Sequence, residues 1–144
     1  MPYINKQKFQ IHDLADIAQR PKRIVIYEPE EYLAALYAHY LRQHSFDVKH
    51  CPDLGLLKQL MLSFSPQMLV YNIEQTQSPK AQLNRLLKLK TDFPDTFVIT
   101  TGFNTGSEIL KLLLEAGIAS HINRRLSRPQ DLPMIVKSIL YQNN

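Results

Sequence analysis

The chain has 144 residues, the size of one domain able to bury a core without covalent staples. Hydrophobic residues make up 44% and charged residues 21%, which excludes an intrinsically disordered chain. Net charge is +4, but Lys and Arg are dispersed apart from small groups at Arg20, Lys22, Arg23 and at Arg124, Arg125, Arg128. That pattern is expected of solvated surface charge rather than of a nucleic-acid partner.

Residues 1–22 are polar and mixed, and read as an N-terminal arm with a short helix over 13–19, where Leu14, Ile17 and Ala18 share one face. From Arg23 the chain alternates between two periods. Ile24-Val25-Ile26-Tyr27 is a continuous β-branched run, as expected of a strand covered on both faces. Residues 30–43 read as a helix with Leu33, Leu36, Tyr37, Tyr40 and Leu41 in one stripe, and 46–51 (FDVKHC) alternate as an edge strand does. Asp53 is an N-cap for a helix over 54–64.

Met68-Leu69-Val70-Tyr71 is the third strand, left at Asn72. Ser78-Pro79 opens a helix running to about Thr91, ended by the turn Asp92-Phe93-Pro94-Asp95. Phe97-Val98-Ile99-Thr100 is the fourth strand, and the helix over 107–116 stops at Gly117, suited to a left-handed C-cap. A fifth strand is expected over 118–122 and a last helix over about 130–141.

Five strand–helix alternations require a parallel sheet, because parallel neighbours need crossover helices. The expected fold is α/β and flavodoxin-like: a (βα)5 three-layer sandwich with a five-stranded parallel sheet in the order 2-1-3-4-5. Residues 23–144 form this domain after the 1–22 arm, and no output domain is expected to follow. In such sheets ligands sit at the carboxyl ends of the strands, which singles out Glu28-Pro29-Glu30, Asn72, Thr101-Gly102 and Asn123-Arg124-Arg125.

Those residues carry a resemblance. Over about residues 22–140 the chain resembles the receiver (CheY-like) domain of bacterial response regulators. Receivers carry an acidic pair after strand one and a phospho-accepting Asp after strand three. A Thr or Ser with a small residue follows strand four, and a Lys follows strand five. The resemblance places Glu28 on the first acid, Pro29 on the second, Asn72 on the acceptor, Thr101 with Gly102 on the hydroxyl-and-small pair, and Arg124 on the Lys. The separations of 43, 29 and 23 residues from Pro29 through Asn72 and Thr101 to Arg124 are in register with the family.

The departures bear on function. An acyl phosphate needs a carboxylate nucleophile, and the Asn72 amide is none. Receivers also hold Mg²⁺ through carboxylates, whereas here Pro29 has no side-chain ligand and Asn72 offers one neutral carbonyl. Arg124 keeps the charge of the Lys without its compact ammonium. The pocket therefore reads as a degenerate phosphorylation site, with no metal, no cofactor and no enzymatic activity expected. Two pairings were open from sequence: Arg124 with Glu28, or Asn72 with Thr101.

The resemblance implies a pseudo-receiver of the two-component phosphorelay type that acts by protein–protein contact, on a signalling partner or as a homodimer. Its face of helix four, strand five and helix five would present Lys111, Glu115, His121, Arg125, Arg128 and Asp131. Two alternatives remain open: phosphorylation at an unusual acceptor such as Glu74, or a flavodoxin-like small-ligand or nucleotide binder using the loop 101–107. The five histidines lack metal-ligand spacing, and the single cysteine, Cys51, excludes an intramolecular disulfide. The N-terminus has no signal-peptide core and no apolar run approaches the ~20 residues of a membrane span, so a cytoplasmic location without membrane contact is expected.

Overall fold

A computed structural model describes residues 20–73, 78–103 and 105–142. The expected arm helix over 13–19 and Glu74 lie outside the described residues. In chain order the elements are β1 (Arg23–Tyr27), α1 (Glu31–Gln43), β2 (Asp47–Cys51), α2 (Leu54–Phe64), β3 (Met68–Asn72), α3 (Pro79–Asp92), β4 (Phe97–Gly102), α4 (Ser107–Glu115), β5 (Ser120–Asn123) and α5 (Leu132–Leu140). The strands form one sheet ordered β2-β1-β3-β4-β5, parallel throughout. This is the order expected from sequence.

The continuous apolar runs are continuous because both faces of the sheet are covered. Ile24 and Ile26 of β1, with Met68, Val70, Ile99 and Ile122, meet Leu33, Tyr37 and Leu41 of α1 and Leu132 and Val136 of α5. Val25 and Tyr27, with Leu69, Tyr71 and Val98, meet Leu57 and Met61 of α2, Leu86 and Leu89 of α3 and Leu113 of α4. Full burial of one such aliphatic side chain is worth about 1.5–3 kcal/mol, so the two half-cores supply most of the drive to fold. β2 is an edge, and its alternating burial follows from that.

The helix boundaries follow local chemistry. The Asp53 carboxylate accepts from the Gly55 N–H, and the Ser78 hydroxyl from the Ala81 N–H, satisfying first-turn donors of α2 and α3. At the other end of α2, the Arg23 guanidinium donates to the carbonyls of Phe64 and Ser65. Several boundaries differ from expectation, β4 for one running on to Gly102 rather than ending at Thr100. β5 starts at Ser120 rather than at 118, and Ile118 is instead a buried anchor of the loop. The last helix opens as a 3-10 turn, Pro129–Asp131, and becomes α-helical only from Leu132, where Pro133 lies in the first turn and needs no amide donor.

Gly117 has φ +90°, the left-handed conformation that lets the chain turn from α4 into β5. An added Cβ there would meet nothing closer than Lys90 Cε at 3.9 Å, so the penalty of a side chain is one of backbone alone. Gly117→Ala should therefore lower the unfolding free energy by about 1–2 kcal/mol without changing the denaturant slope, as read from urea titrations.

Candidate functional site

The carboxyl ends of β1, β3 and β4 bring the expected residues together. β3 and β4 pair Asn72 with Thr101 directly, and the ladder continues through the Ile73 N–H to the Thr101 carbonyl at 2.7 Å. Glu28 lies one step beyond the Tyr27–Tyr71 pair, and its own N–H donates to the Cys51 carbonyl at 3.4 Å. The Arg124 N–H donates to the Gly102 carbonyl at 2.8 Å, which sets the start of the loop after β5 beside the same edge.

Glu28, Asn72 and Thr101 are buried, whereas Pro29 is exposed and adds nothing to the pocket. Asn72 Nδ2 donates to Thr101 Oγ1 at 3.4 Å, the second of the pairings left open from sequence. The first does not form. Arg124 instead bridges to Glu30 Oε2 at 3.4 Å, at the rim, where Glu30 keeps more than half its side chain in solvent. A guanidinium on the short loop after β5 reaches a carboxylate that faces water more cheaply than one sunk under α1.

Glu28 is therefore a carboxyl without a cation in direct contact among the described residues. Its Oε2 accepts the Glu30 N–H at 3.0 Å, helping to start α1, while its Oε1 is buried with no partner among the described residues. Burial pushes its pKa above the ordinary value of 4.5, against the lowering effects of the Glu30 N–H, Arg124 and His50. His50 is held beside it by a 2.8 Å bond between its Nε2 and the Glu28 carbonyl. Tyr37 of α1 shares this surrounding, and burial pushes its hydroxyl up to about 12.

Mg²⁺ would find one carboxyl, held by burial towards its neutral form, one amide carbonyl, and no side-chain oxygen at Pro29. Hard divalent ions of that size take carboxylate and phosphate oxygens, so these residues do not fit it. Among the described residues no group of three His, Cys, Asp or Glu side chains could hold a metal ion elsewhere.

Gly102 shows why a small residue follows Thr101. A Cβ there would collide with Thr105 Oγ1 and come within 3.0 Å of His121 Cε1. His121 is turned inward: its Nδ1 lies 2.7 Å from the buried Thr100 hydroxyl, and its Nε2 is buried without a partner among the described residues. Burial holds its pKa below 6.5, so the ring is neutral at physiological pH.

The remaining residues of the α4–β5–α5 face are on the outside. Lys111, Glu115, Arg125 and Arg128 are exposed and Asp131 is half-buried. Arg125 lies over the Phe103 ring at 5.3 Å. Arg128 and Asp131 are engaged with each other, through the Arg128 N–H to Asp131 Oδ2 at 2.9 Å and a 3.5 Å ion pair, where they close the first turn before α5. The Arg128 N–H is the main cause that holds the Asp131 carboxyl below its ordinary range. Sequence reasoning missed the apolar part of this surface, namely Phe103, Leu112, Leu114 and Leu126. The run Leu112-Leu113-Leu114 was its signal, since only one of three consecutive helical positions can face the sheet.

No family model and no curated protein matches the chain. Solved structures do. A response regulator from Thermotoga maritima is similar at 15% identity and a TM-score of 0.75, over 83% of this chain and 98% of that one. HP1043, an orphan response regulator of H. pylori, is similar at 16% identity and 0.75, over 84% and 98%. An atypical orphan response regulator described as showing a phosphorylation-independent regulatory mechanism is similar at 17% identity and 0.70, over 82% and 94%. At these identities the likeness shows the fold, and the chain has the receiver fold.

A pH dependence follows from Glu28. Between 4.5 and the raised value the folded chain holds more protons than the unfolded one, so its stability falls as pH climbs through that window. Glu28→Gln keeps an acceptor for the Glu30 N–H and removes the titration. The variant should melt higher than wild type at neutral pH, and the difference should disappear below pH 4.5, as read by calorimetry across pH.

Proposed function

We propose that this chain is a receiver-like signalling module of the two-component type that is not phosphorylated and acts through protein–protein contact. One observation carries the reading. The position that would present a phosphate acceptor holds the Asn72 amide, buried and bonded to Thr101, in a pocket whose one buried carboxyl among the described residues is Glu28. An amide has no lone pair basic enough to attack an acyl phosphate, and a lone buried carboxyl does not retain Mg²⁺.

The Thr101 hydroxyl accepts from the Asn72 amide at 3.4 Å, which ties β4 to β3 where a phosphate acceptor would stand. Output through a constant surface fits such a domain, and the solved orphan regulator described as phosphorylation-independent is a precedent in the same fold.

The contact surface proposed is that of α4, β5 and α5. It joins exposed Lys111, Glu115, Arg125 and Arg128 to the exposed apolar Phe103, Leu114 and Leu126. Arginine is enriched where interfaces concentrate their energy, and Arg125 lies over the Phe103 ring on this face. Arg125 is the first choice for a hot spot. Arg128 ranks behind it because its guanidinium closes the turn before α5, and His121 serves the face from below as packing.

Incubation with Mg²⁺ and a small acyl-phosphate donor should leave the intact mass unchanged, and an added phosphoryl group would overturn the proposal. Restoring both acids, by Pro29→Asp with Asn72→Asp, should create Mg²⁺ binding measurable by calorimetry. For the surface, Arg125→Glu with Leu114→Asp should reduce recovery of the partner from native extract, with an expected loss of about 2 kcal/mol of affinity and an unchanged melting temperature.

A further inference from the structure

α2 is apolar on more sides than the sheet can cover. Seven of its eleven residues are Leu, Met or Phe, yet only Leu57 and Met61 are buried, while Leu56 and Leu62 are 54% and 63% exposed. Lys58 is the helix's one charge, and Asp92 of α3 already pairs with it at 3.3 Å. Exposed leucines on both flanks of the outer side widen the apolar stripe beyond what the sheet covers, as on a helix with a second packing partner.

We propose that the outer face of α2 is a homodimer contact, in which a second copy of this chain packs its own α2 antiparallel across a two-fold axis through Gln59. Residues 55, 56, 59, 62 and 63 recur at helical spacing and share one face, centred on Gln59. Antiparallel pairing about that centre sets each large residue against a small one. Leu62 lies over the partner's Gly55, and Leu56 lies against the partner's Ser63. Such isologous matching is what a closed two-fold interface needs.

The polar groups on this face allow it to be buried. Ser63 Oγ already donates to the Leu60 carbonyl, and the Gly55 N–H to the Asp53 carboxylate. Gln59 is the remaining amide, with no bond among the described residues. On a two-fold axis its carbonyl and amine can each meet the other copy's amine and carbonyl. With Lys58 neutralised by Asp92, no like charge opposes itself across the axis, so a second copy fits the face better than a charged partner does. Beside Ser63 and Leu56 a groove of about 310 Å³, also lined by Leu60, His50 and Pro52, leaves room for the copy's Leu56.

Sedimentation velocity of the full chain tests this. A reversible dimer with a dissociation constant on the order of 10 μM is expected from a contact of one helix face. Leu56→Asp with Leu62→Asp should weaken it by about tenfold or more while the circular dichroism spectrum stays the same. Gln59→Cys should give a disulfide-linked dimer under mild oxidation, whereas Lys111→Cys on α4 should not, and this readout stands even if the aspartate pair lowers stability. A chain that stays monomeric at every concentration overturns the proposal. So does a dimer that survives the aspartate pair, one lost on Arg125→Glu, which would place it on the α4–β5–α5 face, or one lost on deleting residues 1–19, which would make that segment the occupant.

Discussion

A parallel sheet covered on both faces leaves its side chains two destinations, the upper helical layer or the lower one. Only where the strands end can a polar group stand at the protein surface without breaking a layer. The pocket depends on this constraint. Glu28 and Asn72 directly follow the apolar runs of β1 and β3, Thr101 follows Thr100 on β4, and the ladder from Asn72 to Thr101 fixes their separation more firmly than any side-chain contact. Because α1 and α5 close one layer over them, what they carry is buried and must be satisfied locally.

The electrostatics of the pocket follow from the residues that line it. With Pro29 and the Asn72 amide beside Glu28, Arg124 meets no cluster of negative charge among the described residues, and it turns to Glu30 at the rim. Glu28 is left buried with one oxygen bonded to the start of α1 and the other unpaired. Its raised pKa is the measure of that isolation. The pocket is a structural joint between β1, α1, β3 and β4, and the surfaces proposed for function are helical ones: α4 with the loop after β5, and α2.

These two surfaces differ in kind. The α4–β5–α5 face mixes arginine, lysine and glutamate with leucine and an aromatic ring, as faces that choose among partners do. The α2 face is almost without charge and repeats small and large residues about Gln59, which suits a copy of itself. As proposed, the first face serves recognition and the second assembly.

Much of this was legible in the sequence because it is local. The β-branched run at Ile24–Tyr27, the caps at Asp53 and Ser78 and the left-handed Gly117 each follow from a few neighbouring residues, and the alternation of periods implies the parallel sheet and its order. That Asn72 arrives at the end of β3 beside Thr101 was equally plain, since it needs only register. The partner of Arg124 was not, because the choice between Glu28 and Glu30, 94 residues away in the second case, turns on which carboxylate is sunk beneath α1. Nor was the inward turn of His121, set by the Thr100 hydroxyl across a ladder and by the absence of a side chain at Gly102. Sequence determined which residues arrive at the carboxyl edge. Burial in the folded layers decided which of them meet, because the cost of desolvating a charge exists only once the layers have closed.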